Sequence, residues 1–596
     1  MSKPESLLLL LSISGAMALA GCSGGNGSSD DGGADDSSTR VDAAGDSGTT
    51  DGGVDSGARD SAVVDSGAGD SGPAIVPGST GGPVLLFSDL TLAPSTGWSA
   101  ATPTRGAVVT VWGRNLGVTR GSSFISVGDV ELSADSDYAE TWGEAGKPVP
   151  FLQRVSFWLN DVMPDGDAPI RVTVNGEVSN ALPFRVGGGN LYFVDASATG
   201  SGTGTHADPW ASPSDCVSAI VPGDICYFRE GVYDQKYNGG KQNIWLRDGE
   251  VPATPDAPVA FVGYPGETAL FDSRTNGSRN FHTSFRFVSR AITLAKVSID
   301  AYAVGVQAGD DARIIGNDIR GGANFLSGSG IVVVNGNAAV VYGNAIHGGR
   351  TENRLDHGIY ISGCAPRAGN TLAWNYIFDN SFDRGPLIVV NHQENRCPAD
   401  VFVRSHFIHH NLIDCSNFPS RAIGIYDLSW DGPPETEPEP TYVYNNIVNR
   451  CGIAGNAAIY QNAANARFFH NTIRGSREDG FSVSGGRVVS SSIVNNIIEL
   501  DNASGDYIAT DFAGLEVSHN LYFGAGAYSG SDAAAVEGDP MLIFDIATDS
   551  YDLGAGSPAI DMGAGDIPAF LTTDFRSVAR PVGAGLDIGA IERLAD

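Results

Sequence analysis

The sequence predicts an all-β fold in which a small β-sandwich precedes a long β-solenoid. Glycine accounts for 78 of the 596 residues, about twice the ~7% usual in globular chains, which favours turn-rich β structure over helices. Short alternating apolar segments separated by turn residues occupy residues 82–188, as in a sandwich. From residue 317 onward, an Asn followed two residues later by Ile, Val or Tyr recurs every 24 to 36 residues, about the length of one solenoid turn.

The charge balance excludes a nucleic-acid partner. Lys and Arg total 36 against 69 Asp and Glu, a formal net charge of −33, whereas nucleic-acid binding needs clustered Lys and Arg. Residues 23–75 alone hold 11 Asp and two Arg. Such a segment cannot bury enough apolar surface to offset its ordering entropy, so residues 23–81 are expected to be a disordered Gly/Ser/Asp tether. The remaining chain is also acidic, and a polyanionic ligand would need a local basic site.

The first 22 residues have the features of a targeting signal. Lys3 precedes an apolar run over residues 7–20, which is too short to span a bilayer as a helix. The run ends in Leu-Ala-Gly-Cys at Cys22, which resembles a bacterial lipobox. That resemblance implies a lipoprotein signal peptide over 1–22, lipidation of Cys22, and export to the outer membrane or cell surface, with membrane contact through the lipid anchor only.

Residues 82–188 resemble IPT/TIG domains, an immunoglobulin-like family. The resemblance is carried by VTVWGRNLG at 109–117 and IRVTVNGEVSN at 170–180. It implies an immunoglobulin-like sandwich that acts as a spacer or as a sugar-binding accessory. We expect a spacer that holds the following domain away from the membrane.

Residues 190–596 resemble right-handed parallel β-helix proteins of the pectate-lyase-like class. An amphipathic helix is predicted over residues 213–220, with Ser212 as N-cap, to cover the first coil. The closing segment over residues 557–592 is also similar to that class. The recurring Asn residues are predicted to stack as a ladder along one corner, about 4.8 Å apart. They are Asn317, Asn344, Asn375, Asn411, Asn446, Asn471, Asn496 and Asn520.

Six cysteines follow Cys22, and an even number in an exported chain indicates disulfides. Neighbourhood in sequence favours Cys216 with Cys226, Cys364 with Cys397, and Cys415 with Cys451 among the 15 possible connectivities. A zinc site at His406, His409 and His410 is not expected, because His410, His470 and His519 each precede a ladder Asn and so mark a repeated structural position. The metal is otherwise unknown, and calcium stays possible.

The candidate site lies in the coils that carry insertions. The ladder intervals of 31, 36 and 35 residues after Asn344, Asn375 and Asn411 exceed the neighbouring 24 to 27, and function concentrates in such loops. His357, Arg384 and Arg421 stand just before predicted strands, where they are expected to stack as a row of cations. Tyr360, Tyr426 and Tyr460 are expected to form a second row. The predicted substrate-binding residues are Arg350, His392, Glu394, Arg421, Tyr426 and Asp427.

A row of cations with a row of aromatic rings suits an acidic polysaccharide, because guanidinium forks pair with carboxylates. The leading hypothesis is recognition, and β-elimination, of such a polymer by a monomer. The resemblance implies a Lys or Arg base, often with calcium, but the inserted coils contain no Lys. The predicted catalytic residues are therefore His357, Tyr360 and Arg384. The alternative is a non-catalytic adhesin or glycan-binding surface module.

Overall fold

The computed structural model describes residues 81–98, 104–145, 147–235, 242–274, 283–322, 330–353, 355–362, 368–392, 405–427, 439–485, 488–528 and 530–594. The predictions for Cys22, Cys364, Glu394 and Cys397, and for the signal peptide and tether, lie outside these residues. In the described part, no helix is both long and apolar enough to cross a membrane.

The first part of the chain forms three small sheets, which we call the antiparallel sheets because all their strand pairs are antiparallel except that of Leu92–Ala93 with Arg185–Val186. Its longest strand, Arg105–Arg114, pairs with Val84–Ser88 on one side and Gln153–Asn160 on the other. A second sheet is built around Ile170–Val174 and Phe124–Val127. The remaining elements are Leu92–Ala93, Val130–Leu132, Asp135–Asp137 (a 3-10 turn), Glu144–Ala145, Gly166–Asp167, Glu177–Val178 and Arg185–Val186.

The second part is a parallel β-helix, as the sequence predicts. Ten coils each contribute one strand to each of three parallel sheets, which we call sheets A, B and C in chain order; sheets A and B each have two more strands, at the ends of the solenoid. Sheet A contains Leu191–Val194, Ile225–Phe228, Val259–Gly263, Ile292–Ala295, Arg313–Ile315, Val340–Tyr342, Thr371–Ala373, Phe407–His409, Thr441–Tyr444, Ala466–Phe469, Ser492–Val494 and Glu516–Ser518. Sheet B contains Gly231–Tyr233, Ala269–Asp272, Ser298–Asp300, Asp318–Arg320, Ala345–His347, Tyr376–Phe378, Leu412–Asp414, Ile447–Asn449, Thr472–Ser476, Ile497–Leu500, Leu521–Gly524 and Val536–Glu537. Sheet C contains Ile244–Leu246, Thr283–Phe287, Val304–Ala308, Gly330–Val334, His357–Ile361, Pro386–His392, Arg421–Asp427, Ile459–Asn462, Phe481–Val483 and Ile508–Thr510.

The predicted capping helix is present as Pro213–Ala219. Its first turn is closed by Ser212, whose hydroxyl accepts a hydrogen bond from the Ser214 N–H at 3.2 Å. Pro213 stands at a position where its missing N–H costs nothing. Two disulfides are also as predicted, Cys216–Cys226 and Cys415–Cys451.

The Asn ladder is confirmed at the corner between sheets A and B. All eight residues are fully buried. Within it, the Asn411 N–H and Nδ2 both donate to Asn446 Oδ1, at 3.0 and 2.9 Å, and Nδ2 also donates to Leu372 O. The same contacts repeat from coil to coil. The last member, Asn520, donates instead to the carboxylate of Asp532 at 3.0 Å, so an acidic residue ends the ladder.

The residue before each ladder Asn turns the corner with a φ between 50° and 63°. His410, His470 and His519 occupy this position, which confirms that they mark a repeated structural feature. The first two such positions are glycines, Gly316 and Gly343. A Cβ at Gly316 would lie 2.5 Å from the Trp112 ring, and a Cβ at Gly343 would lie 2.5 Å from the Phe87 ring. Only glycine allows this approach, because any side chain would overlap the ring.

Those two rings belong to the antiparallel sheets, which lie directly against the outer face of sheet A. Residues of both parts share one apolar core. A buried ion pair joins them, with Lys296 Nζ 3.1 Å from Asp89 Oδ2. The Tyr227 hydroxyl donates to Val108 O at 3.1 Å. The antiparallel sheets therefore cover apolar surface on sheet A that would otherwise face water.

The closing segment returns along the corner that carries the ladder. It forms a hairpin of Leu542–Asp545 and Ser550–Leu553 and then a loop held by a buried ion pair between Arg580 and Glu592, with Nη1 2.8 Å from Oε2. The Ala590 N–H donates to Thr472 Oγ1 at 2.9 Å. The charged residues of this segment thus have structural partners.

Candidate functional site

The outer surface of sheet C contains most of the candidate residues that the structure describes. Along most of each strand side chains alternate, so every second residue points away from the core. Near the strand starts two consecutive residues, such as Ala422 and Ile423, are both buried in the core, so the residue before them lies three positions ahead of the next outward one. We call this surface the sheet C face. Parallel pairing places residues of successive coils in rows along the solenoid. Row 1 contains Gly330, His357, Pro386 and Arg421; row 2 contains Trp245, Arg286, Gln307, Val333, Tyr360, Val389, Gly424, Tyr460, Ser482 and Ala509; row 3 contains Asn391, Tyr426 and Asn462.

His357 begins its strand and is 7% exposed. Its Nδ1 lies 3.0 Å from Pro386 O. A carbonyl oxygen only accepts, so Nδ1 carries the proton and Nε2 keeps its lone pair. Burial lowers the pKa of His357 to about 4. The imidazole is therefore neutral near pH 7, which makes it a base and removes it from the expected row of cations.

Arg384 is not in that row either. Pro386 occupies the row 1 position between His357 and Arg421, and Arg384 lies two residues earlier in an exposed turn with a φ of 59°. The expected stack of three cations is thus wrong in register.

Tyr360 and Tyr460 share row 2, but Tyr426 lies in row 3. The expected single row of tyrosines is therefore also incorrect, because the strands put Tyr426 two residues further along. Tyr360 packs with Val333 and Val389 in a small apolar cluster, at 6% exposure. Its ring centroid is 5.4 Å from that of His357.

The side chains that combine charge and aromatic surface are those of Arg421, Tyr426 and Tyr460, which we call the Arg421 cluster. Arg421 Nη1 donates to the Tyr426 hydroxyl at 3.0 Å, and its guanidinium carbon stands 4.8 Å from the centre of the Tyr460 ring. The two rings are 5.2 Å apart. All three side chains are half-buried. Within the described ranges no carboxylate is paired with Arg421.

Gly424 makes room for this cluster. A Cβ at that position would stand 2.5 Å from the Tyr426 ring and 2.7 Å from Pro386 Cγ. Sequence reasoning did not identify Gly424, although a glycine inside an otherwise apolar strand is a signal of close packing. It positions the ring of Tyr426 beside Arg421.

The other predicted binding residues fall elsewhere or at the ends of strands. Arg350 pairs with Asp379, with Nη2 2.9 Å from Oδ2, and covers the Phe418 ring at 4.1 Å. It lies on a separate two-stranded sheet of Arg350–Thr351 and Ser381–Phe382 and so is not part of the Arg421 cluster. His392 and Asp427 are register partners at the last positions of their strands, and their side chains lie outside the described part.

No group of three His, Cys, Asp or Glu side chains that could hold a metal ion occurs in the part of the chain that the structure describes. His409 and His410 do meet, with their Nδ1 atoms 2.7 Å apart, but His406 is turned to the Asn370 N–H at 3.0 Å. Burial lowers the pKa of His409 to about 3. These histidines therefore serve as neutral packing groups.

No protein-family model matches the chain, and no curated protein matches it. Among solved structures, it is similar to pectate lyase Pel9A at 15% identity and a TM-score of 0.43, over 68% of this chain and 97% of that one. It is similar to a complex of XylC with xylose at 11% identity and a TM-score of 0.44, over 68% of this chain and 99% of that one. A rhamnogalacturonan lyase matches at 13% identity and a TM-score of 0.36, over 56% of this chain and 87% of that one. At these TM-scores the similarities assign no function to the chain. The three parallel sheets of the chain itself define it as a parallel β-helix.

Proposed function

We propose that the sheet C face recognises an acidic polysaccharide. The observation that carries this proposal is the Arg421 cluster, in which a guanidinium contacts two half-buried tyrosines and pairs with no carboxylate among the described residues. A guanidinium binds a carboxylate through two parallel hydrogen bonds. Tyrosine offers an apolar ring against which a sugar can pack, together with a hydroxyl that can bond to it.

The rest of the chain makes such a local site necessary. The formal net charge of the whole chain, −33, repels a polyanion at long range. Binding must therefore depend on contacts at short range, where salt screens a half-buried pair less than an exposed one. We expect weak dependence of the affinity on ionic strength above about 0.1 M, where the Debye length is already about 10 Å.

A binding experiment tests the proposal. The soluble part of the chain is titrated with polygalacturonate, alginate and glycosaminoglycans by isothermal calorimetry. The double variant Arg421→Gln with Tyr460→Ala should bind at least tenfold more weakly. Arg467→Gln is the matched control, because Arg467 lies on sheet A in the coil that follows Tyr460 and its loss removes the same charge from another wall. Equal affinities for the double variant and the unaltered protein would refute the proposal.

A second candidate function, β-elimination at the same face, is favoured by His357. Its Nε2 makes no hydrogen bond to any described residue and is available to accept a proton, while Arg421 in the same row can neutralise a uronate carboxylate. In this reaction the base removes the C5 proton, the electron pair forms the C4–C5 double bond, and the C4–oxygen bond breaks. The departing oxygen then takes up a proton.

Ultraviolet absorbance of the unsaturated uronate product distinguishes the two functions. Turnover by the unaltered protein that His357→Gln abolishes, with binding preserved, would support the lyase. Tyr360→Phe and Arg384→Gln test the other two catalytic candidates in the same assay. Binding of a polymer without any absorbance change would leave a non-catalytic glycan-binding module as the function.

The proposal places the protein at the outer membrane or cell surface, held by a lipid on Cys22. Support comes from the signal-like residues 1–22 and the lipobox-like sequence before Cys22. In the same proposal, residues 82–188 are an IPT/TIG-like domain that braces the solenoid, and the protein acts as a monomer. Incorporation of labelled palmitate that Cys22→Ala abolishes is the expected result, and incorporation unchanged by that substitution would refute the anchor.

A further inference from the structure

A second group of aromatic and basic side chains lies at the N-terminal end of the sheet C face. Trp245 belongs to the first strand of that sheet and Arg286 to the second, and the two are register partners in row 2. Arg247 follows the first strand directly and is exposed. We call Trp245, Arg247 and Arg286 the Trp245 cluster.

Both guanidinium groups face the same indole ring. The guanidinium carbon of Arg247 is 4.5 Å from the centre of the Trp245 ring, and that of Arg286 is 5.3 Å from it. Each contact is a favourable cation–π interaction. Two like charges on one ring also repel each other, and a bound anion would remove that repulsion.

Neither arginine has a counter-ion in the part of the chain that the structure describes. The carboxylate of Glu250 is nearby in sequence, but it accepts the Arg247 main-chain N–H at 2.9 Å. Arg286 Nε and Trp245 Nε1 are buried without a hydrogen-bond partner, which costs free energy unless a ligand or water meets the group. Burial also lowers the pKa of Arg286.

This arrangement is unusual in so acidic a chain. Several other arginines have carboxylate partners, such as Arg290 with Asp311 and Arg229 with Glu267. Two unpaired guanidinium groups that converge on one tryptophan thus form a site for an anion that also offers an apolar face. A uronate sugar has both features, because its carboxylate meets the guanidinium fork and its ring packs on the indole.

We propose that the Trp245 cluster is a second subsite for the same acidic polysaccharide, which lies along row 2 parallel to the solenoid axis. This inference rests on the proposed function. Arg286 and Tyr460 share row 2 and are six coils apart, which corresponds to about 29 Å at ~4.8 Å per coil. The row positions between them are uncharged: Gln307, Val333, Tyr360, Val389 and Gly424.

This geometry predicts selection by length. The Trp245 cluster and the Arg421 cluster act together only on a polysaccharide that reaches both. Linking two contacts in one ligand raises the overall affinity beyond that of either contact. A linear polyuronide long enough to span ~29 Å should therefore bind more tightly than a short one. A short oligomer should bind at the Arg421 cluster alone.

The experiment compares two oligogalacturonates, one too short and one long enough to span the two clusters, in calorimetric titrations. The double variant Arg247→Gln with Arg286→Gln keeps the size and polarity of both side chains and removes only their charge. It should bind the long oligomer at least tenfold more weakly and the short one within twofold of the unaltered protein. The matched control is Arg290→Gln, which removes a charge from the coil of Arg286 at a residue paired with Asp311.

Each other outcome overturns a stated part. If the double variant binds the long oligomer as tightly as the unaltered protein, while substitution of Arg421 abolishes binding, the second subsite is refuted and the proposed function stands. If the double variant weakens binding but substitution of Arg421 does not, the Trp245 cluster is the site that binds the polymer, and the role that the proposed function gives to the Arg421 cluster is refuted. No binding of either oligomer to the unaltered protein refutes both.

Discussion

Replacement of Asn411 by Ala should destabilise the solenoid far more than the loss of one polar side chain from the surface. Asn411 is fully buried near the middle of the ladder. Its Oδ1 accepts the N–H and the Nδ2 of Asn375, at 3.1 and 2.9 Å, and its Nδ2 donates to Leu372 O and Asn446 Oδ1, both at 2.9 Å. The substitution removes four hydrogen bonds at once.

The size of the effect follows from the groups that are left. The Asn375 N–H loses its acceptor in a buried place, which costs about 1–3 kcal/mol. Asn375 Nδ2, Leu372 O and Asn446 Oδ1 each lose one hydrogen bond, at about 0.5–1.5 kcal/mol net apiece. The expected total is about 2.5–7.5 kcal/mol, against the roughly 5–15 kcal/mol that is typical for a whole domain.

Urea unfolding followed by far-ultraviolet circular dichroism measures this change. The midpoint for Asn411→Ala should fall at an unchanged slope. Asn417→Ala is the matched control, because Asn417 is exposed, three residues beyond the sheet B strand Leu412–Asp414, and its one hydrogen bond is 3.4 Å long. A loss below about 0.5 kcal/mol for Asn411→Ala, as is usual for surface changes, would refute the account of the ladder.

Three further predictions concern pH, the site and the register. Burial lowers the pKa of His410 well below 6.5, so this residue should reduce the free energy of unfolding as the pH drops below 6.5, by up to about 1.4 kcal/mol per pH unit. In urea titrations at pH 7 and pH 5, His410→Asn should lessen the loss of stability between the two pH values. An unchanged loss would contradict the prediction that His410 is buried in its neutral form. Gly424→Ala, whose Cβ would overlap the tyrosine ring beside Arg421, should weaken polygalacturonate binding about tenfold with little change in circular dichroism, and full affinity would show that this ring is unimportant. Cysteines placed at the register partners Ser482 and Ala509 should form a disulfide on oxidation, since adjacent strands meet the Cα spacing that it requires; two more free thiols after oxidation than in the unaltered protein would contradict the register.

The solenoid could be predicted because the same residue type, Asn, recurs once in each coil from Asn317 onward. A buried Asn is costly unless its amide is fully bonded, so its recurrence at a regular interval already indicates the stack that the structure contains. The strands after Asn317 follow from the same spacing. The contact between the antiparallel sheets and sheet A could not be predicted, since the glycines that admit Phe87 and Trp112 resemble ordinary turn glycines in sequence.

The site was harder to predict for a related reason. The sequence places Arg384 and Arg421 each just before a predicted strand, but the number of residues in each turn decides whether their side chains share a row. In the structure Arg421 is the first residue of its strand and Arg384 lies two residues before the strand Pro386–His392, and a shift of one residue already moves a side chain to the other face. The charge of His357 depends on its burial, which the sequence does not reveal. Trp245 and Arg286 come before the first ladder Asn, so the repeat gave no register for them.

A crystal structure of the protein with a bound oligogalacturonate is the decisive test of acidic-polysaccharide recognition by the sheet C face. We expect the ligand on that face, with a carboxylate at the Arg421 guanidinium, a sugar ring against Tyr460 and the polymer axis along row 2. A ligand bound on sheet A, on sheet B or on the antiparallel sheets, with the sheet C face empty, would contradict it.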